Sequence, residues 1–237
     1  PLRARLRDTC VRLGLRVRDL RVWRSGGQIV NAAVMGLAAP VRYVLLTDAL
    51  LEHLDERGVE AVFAHEAGHI VSHHIFYSVL LVLSAAVGCA ALAELAAGAT
   101  GLGPWVSDLL AVAMLAGAWG LGFGWVSRRF ERQCDVQAAW AMSGAAPRDR
   151  AAAITPEGAA TFAWALQQIA RLNGIAPEQF NWRHGSIARR VEHVLWLGAT
   201  GGTRQAIDRT VRRIKAALWL AAGAAAALTA WSFFQTA

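Results

Sequence analysis

"HEAGHIVSHH" (residues 65–74) runs straight into "IFYSVLLVLSAAVGCAALA" (75–93), so four histidines and a glutamate border 19 residues that carry no charge. On an α-helix, residues four apart lie one above the other, so His65 and His69 can aim two imidazoles at one ion. Glu66 lies about 100° further round, near enough to address a water on that ion but off the histidine face. Two histidines four apart, with a glutamate after the first, is the spacing of two zinc ligands and a general base. The plainer alternative is a histidine-rich helix surface.

Catalytic zinc takes three protein ligands and keeps one position for water. A metzincin pattern would need a histidine at position 75, where this chain has Ile75. His73 and His74 lie a turn further along the same helix. One straight helix places a third ligand there awkwardly, so both read as supporting or surface groups. The better candidate is in "RFERQCD" (129–135), where Glu131 and Asp135 are four apart on one helical face. Glu131 can ligate the ion. Asp135 can accept a hydrogen bond from the far ring nitrogen of a ligand histidine and fix its tautomer. The alternative for these residues, flanked by arginines, is a solvated, salt-bridged helix face.

Two further charge-free runs, 109–127 and 216–237, accompany 75–93. A 19-residue helix is about 28 Å long, close to the hydrocarbon thickness of a bilayer. Hydrophobic residues make up 55% of the 237 and charged residues 17%, against about 25% charged in soluble domains. The runs read as membrane helices, with buried core helices as the alternative. The first two form a hairpin that brings the helix of Glu131 back beside the helix of His65.

The rest of the chain gives a coarse outline. Residues 1–14 read as an amphipathic helix. Then "LRVRDLRVW" (15–23), "QIVNAAVMG" (28–36) and "VRYVLLT" (41–47) predict a small antiparallel sheet, with a turn at 25–27. The helix of His65 is expected from near Gly58, with no break signal before the first apolar run. Residues 144–154 read as a surface loop. Thr155-Pro156-Glu157 opens a helix that Asn173-Gly174 closes, and Ser186 caps another. Glu60 and His53 read as exposed helix residues without a role. Cys10, Cys89 and Cys134 are too scattered for a disulfide framework or a zinc knuckle. The sequence opens at Pro1, and its Arg-rich first residues do not read as a signal peptide.

Together these stretches resemble the M48 metallopeptidases, the family of the membrane heat-shock protease HtpX and of the CAAX prenyl proteases. The family's zinc helix reads roughly HExGHxxxxH, matched by His65, Glu66, Gly68, His69 and His74. Its third-ligand segment reads roughly SRxxExxAD, matched by Ser127, Arg128, Glu131 and Asp135, with Cys134 in place of Ala. "VNAAVMG" is similar to the family's NAxxxG strand at the cleft. "RHGSIARRV" is similar to its HPxxxxR segment, giving His184 and Arg190, with Gly185 where Pro is usual. The resemblance covers roughly residues 15–195 and is closer to the HtpX-like branch.

The resemblance implies an α+β, mostly helical, integral membrane gluzincin-type metallopeptidase. It has a small antiparallel sheet and a transmembrane hairpin inserted between the HExxH helix and the third-ligand helix. The expected organisation is a peptidase domain over 1–215, with the hairpin at about 75–97 and 105–127, and a C-terminal apolar helix at 216–237. The expected cofactor is one Zn2+ held by His65, His69 and Glu131. Glu66 is the expected base, His184 and Arg190 candidate oxyanion donors, Asp135 and His74 supports, and Asn31 and Ala32 substrate-aligning residues. The partners are a polypeptide substrate and the lipid bilayer. A zinc-binding membrane scaffold without catalysis and prenyl-protein processing are the alternatives.

Net charge is +7, and 23 of 24 basic residues are Arg. They are scattered, without an aromatic-interleaved patch, so an anionic membrane surface is expected rather than nucleic acid. None lies between 94 and 108. The positive-inside rule then puts that connection outside and the active site on the cytoplasmic side, of the inner or plasma membrane in a bacterium.

Overall fold

The computed structural model describes residues 1–36, 38–101, 103–147 and 149–236. Three of the expected loops each contain one residue outside that description: Leu37, Leu102 and Arg148. Ala237, at the end of the third apolar run, is outside it too. The described residues form two compact units. One lies within 1–73 and 130–209, the other within 74–129 and 210–236.

In the first unit, α1 (Leu2–Leu13) packs on α3 (Glu56–Val71), the helix that carries HEAGH. Between them come β1 (Asp19–Trp23), β2 (Ala32–Met35), β3 (Tyr43–Thr47) and the short α2 (Asp48–His53). α3 starts at Glu56 because the Asp55 carboxylate accepts from Gly58 N–H, a cap of about 1 kcal/mol. It does not continue into the apolar run. It ends at Val71, and His73 takes a left-handed φ of 55°, which interrupts helical backbone.

The sheet is mixed, not antiparallel. Its order is β1-β3-β2, with β1 parallel and β2 antiparallel to β3. The turn at 25–27 does not close a hairpin. Ser25 N–H and Oγ and Gly26 N–H all donate to the Asp48 carboxylate at the start of α2, so the chain leaves β1 and leaves room for β3 beside it. β2 is therefore an edge strand, and it packs on α3.

Glu60 is not exposed as expected. It is buried, and it accepts from the Thr9 hydroxyl at 2.6 Å and from Arg5 and Arg12. Arg12 also donates to Ala141 O at 2.9 Å. α1 is thus tied to both helices that frame the candidate site. His53 is exposed, as read.

The first unit is completed by the C-terminal part of α6 (Gly124–Met142), by α7 (Pro156–Leu172) and α8 (Ile187–Thr200), and by the first turn of α9 (Gln205–Thr236). Thr155 and Ser186 cap α7 and α8 as expected. Phe63, Leu50, Val44, Trp140 and Ile154 fill the core.

The second unit contains α4 (His74–Thr100), which packs on α5 (Pro104–Gly117), and a π-helical turn over Ala118–Phe123 that leads into α6. Among the described residues, three helices are long and apolar enough to cross a membrane: His74–Thr100, Trp105–Met142 and Gln205–Trp231, with mean hydropathies of 2.3, 1.8 and 1.4. Their apolar side chains are largely exposed, Leu121 at 80% and Leu220 at 76%, unlike those of core helices.

Candidate metal centre

α3 and α6 meet at Gly68 and Cys134. A Cβ on Gly68 would stand 3.0 Å from Cys134 Sγ and 3.3 Å from its Cα. A larger residue would require Cys134 to give by a few tenths of an ångström. About one turn before the contact, α3 presents His65 and α6 presents Glu131, and Asp135 follows Cys134 directly.

The Glu131 carboxylate sits between the two imidazoles. Its Oε1 is 3.4 Å from His69 Nε2 and its Oε2 is 3.6 Å from His65 Nε2. Donor atoms of His65, His69 and Glu131 all lie within 4.8 Å of one another. Two ligands about 2.1 Å from a tetrahedral ion stand about 3.4 Å apart, so the spacing fits one ion. Two imidazoles and one carboxylate are also a donor set of catalytic zinc.

Behind these groups, Arg190 of α8 grips Asp135. Its Nε donates to Oδ2 at 2.9 Å and its terminal nitrogen to Oδ1 at 2.6 Å, and that nitrogen also lies 3.3 Å from Glu131. Asp135 Oδ1 is 3.0 Å from His65 Nδ1, yet that buried nitrogen makes no hydrogen bond of good angle. The contact is close but oblique.

The charges answer one another. Burial pushes the Glu131 carboxyl up, but His184, His65 and His69 pull it well below the usual carboxylate range. Burial also raises Asp135, and the Arg190 charge outweighs it, so Asp135 is lowered. Burial works against a charge on His65, but Asp135 and Glu131 raise it to about 10. A metal bound by these donors would displace protons from them.

His184 comes from a turn shaped by Asn181. The Asn181 carbonyl accepts from Gly185 N–H, and its side-chain oxygen accepts from the N–H groups of Arg183 and His184. Gly185 has a φ of 77°, closed to proline. His184 Nδ1 lies 3.0 Å from Glu131 Oε1, and the side chain is 42% exposed.

A cavity of about 530 Å³ opens over the cluster. Asn31, His65, Glu66, His69, Glu131, His184 and Arg190 line it, which brings seven of the expected site residues together. Ala32 is not among its lining. It is buried as the first residue of β2, where its N–H donates to Asn31 Oδ1 at 2.9 Å. His74 opens α4 and belongs to the second unit. One wall lay outside the sequence expectation: Phe162, Leu166 and Ile169 of α7, with Ile175 and Phe180 after it. Its signal is their spacing along one face of α7.

The model of peptidase family M48 matches residues 4–195. Comparison with curated proteins and with solved structures gave no match.

Proposed function

The chain belongs to peptidase family M48, which implies a metallopeptidase, and from that premise we propose a zinc-dependent endopeptidase of membrane or membrane-near polypeptides, with a quality-control role like that of the HtpX-like branch. The observation that carries this reading is the His65–His69–Glu131 cluster, its donors within 4.8 Å of one another under a cavity that Glu66 also lines.

Zinc held by these three residues supplies a Lewis acid that acidifies water and polarises the scissile carbonyl. Glu66 takes the proton of the attacking water and returns it to the leaving amine. Arg190 is engaged by Asp135 and Glu131, so its role is to orient the ligands rather than to meet substrate. His184, at the cavity, is the donor assigned to the oxyanion. The substrate backbone aligns along Asn31 and the edge of β2 that begins at Ala32.

The peptidase domain spans 1–215, interrupted by the membrane hairpin. The third apolar helix follows. The active site faces the cytoplasm, as the absence of Lys and Arg from 94–108 supports.

The test is casein cleavage by the detergent-purified chain beside Glu66→Gln, with zinc content determined for both. Zinc in both and cleavage by the wild type alone is expected, with Glu66→Gln slower by about 10²–10⁴-fold. Zinc in both and cleavage by neither would sink the reading.

A further inference from the structure

Behind the helix of the third ligand lies a buried polar cluster that the peptidase reading does not use. Gln133 and Gln137 each follow Glu131 and Asp135 by two residues, about 200° around α6, and so face away from the metal centre. Gln133 Nε2 donates to Asp208 Oδ1 at 2.7 Å. Arg204 Nε donates to Asp208 Oδ2 at 3.1 Å, and its terminal nitrogen donates to Gln137 Oε1 at 2.9 Å. The Arg204 guanidinium also lies 5.0 Å over the Trp140 ring, and Arg150 approaches Asp208 at 3.7 Å. All four polar residues of the cluster are buried.

A buried ion pair is a weak source of stability, because its desolvation offsets its attraction. What this one fixes is orientation. It holds two side chains one turn apart on the back of α6, and Arg190 holds Asp135 and Glu131 on the front. Rotation about the helix axis is therefore blocked from both sides. A rotation of about 10° would carry a carboxylate about 6 Å from the axis by about 1 Å. Ligand distances at a metal hold within about 0.2 Å.

Arg204 and Asp208 lie beyond residue 195, where the family match ends. Asp208 is in the first turn of α9, whose unbroken helix carries the third apolar run. We propose that Arg204 and Asp208 are positioning residues of the metal centre: through Gln133 and Gln137 they set the rotation of α6 and so the place of the Glu131 carboxylate. The root of the last apolar helix is then a working part of the peptidase site. This rests on the peptidase reading above.

The test measures zinc(II) affinity by chelator competition, with kcat and KM on a peptide, for the full chain in detergent. Arg204→Lys and Asp208→Asn are compared alone and with Glu131→Ala. Each alone is expected to weaken zinc binding about tenfold or more and to lower kcat at unchanged KM. Neither weakens it further once Glu131 is gone, because the effect passes through that carboxylate. Gln137→Met cuts one of the two ties to α6 and leaves the ion pair and the Gln133–Asp208 bond, and it gives part of that weakening should an ion-pair variant fail to fold. Unchanged affinity in the folded variants, or an equal drop in the Glu131→Ala background, overturns the proposal alone. A wild-type chain that binds no zinc overturns it together with the peptidase reading.

Discussion

Arg190 holds Asp135 through two parallel hydrogen bonds of 2.9 and 2.6 Å, and the same Asp135 oxygen that takes the shorter bond stands 3.0 Å from His65 Nδ1. The fork is a geometry lysine cannot reproduce. Arg190→Lys and Asp135→Asn should each weaken metal binding by about 10–100-fold, the range for groups that orient a ligand histidine. Arg190→Ala should also cost about 3–5 kcal/mol of stability, because it strands a buried carboxylate. Chelator competition and thermal unfolding in detergent check both effects. Full metal affinity in Asp135→Asn would show that His65 is oriented by other contacts.

Gly68 sets the approach of α3 to α6. A methyl there meets Cys134 Sγ at 3.0 Å and backbone Cα at 3.3 Å. Gly68→Ala is expected to cost about 1–3 kcal/mol by overpacking and to part the histidines from Glu131. Adding Cys134→Ala removes the sulfur but not Cα and Cβ, so the double variant should recover part of the stability and metal content, not all. Stability and zinc content of the single and double variants decide it. Wild-type zinc content in Gly68→Ala would mean that the close contact is dispensable.

The contrast between what the sequence disclosed and what it hid follows the range of the interactions. His65, Glu66 and His69 were legible because helical spacing alone relates them. Glu131 and Asp135 were legible because two apolar runs of similar length return the chain. The strand order was not, since it depends on Asp48 drawing Ser25 and Gly26 away from β1, a contact across 23 residues. Glu60 was misread because its partner Thr9 lies 51 residues upstream. Phe162, Leu166 and Ile169 form a stripe that looks the same whether it faces a core or a cavity.

Asp48 makes that tie sensitive to acid. The Ser25 hydroxyl foremost, with the N–H groups of Ser25, Ala49 and Gly26, holds its carboxyl well below the usual range. A carboxyl depressed in the folded chain stabilises it fully above the unfolded value of about 4, and that contribution is lost as pH falls below it. Asp48→Asn should therefore be less stable than the wild type at pH 7, with the gap narrowing towards pH 3. Thermal midpoints of both proteins across that interval test the sign. A gap that widens in acid would exclude Asp48 as the source.

The wall of α7 bears on what the enzyme cuts. Phe162, Leu166 and Ile169 recur at i, i+4 and i+7 and face the cavity beside His65, whose ring stacks on Phe162 at 5.9 Å. Ile175 and Phe180 extend this surface. An aspartate of the substrate would lose its hydration here and face apolar carbon, whereas a leucine would lose water and gain contact. Peptides with Leu or Phe beside the scissile bond should be cut at least about tenfold faster, by kcat/KM, than the same peptides with Asp. Leu166→Asp should erase most of that preference and keep its zinc, while Leu166→Met keeps both. Equal preference in Leu166→Asp and the wild type would place the discriminating surface elsewhere than on α7.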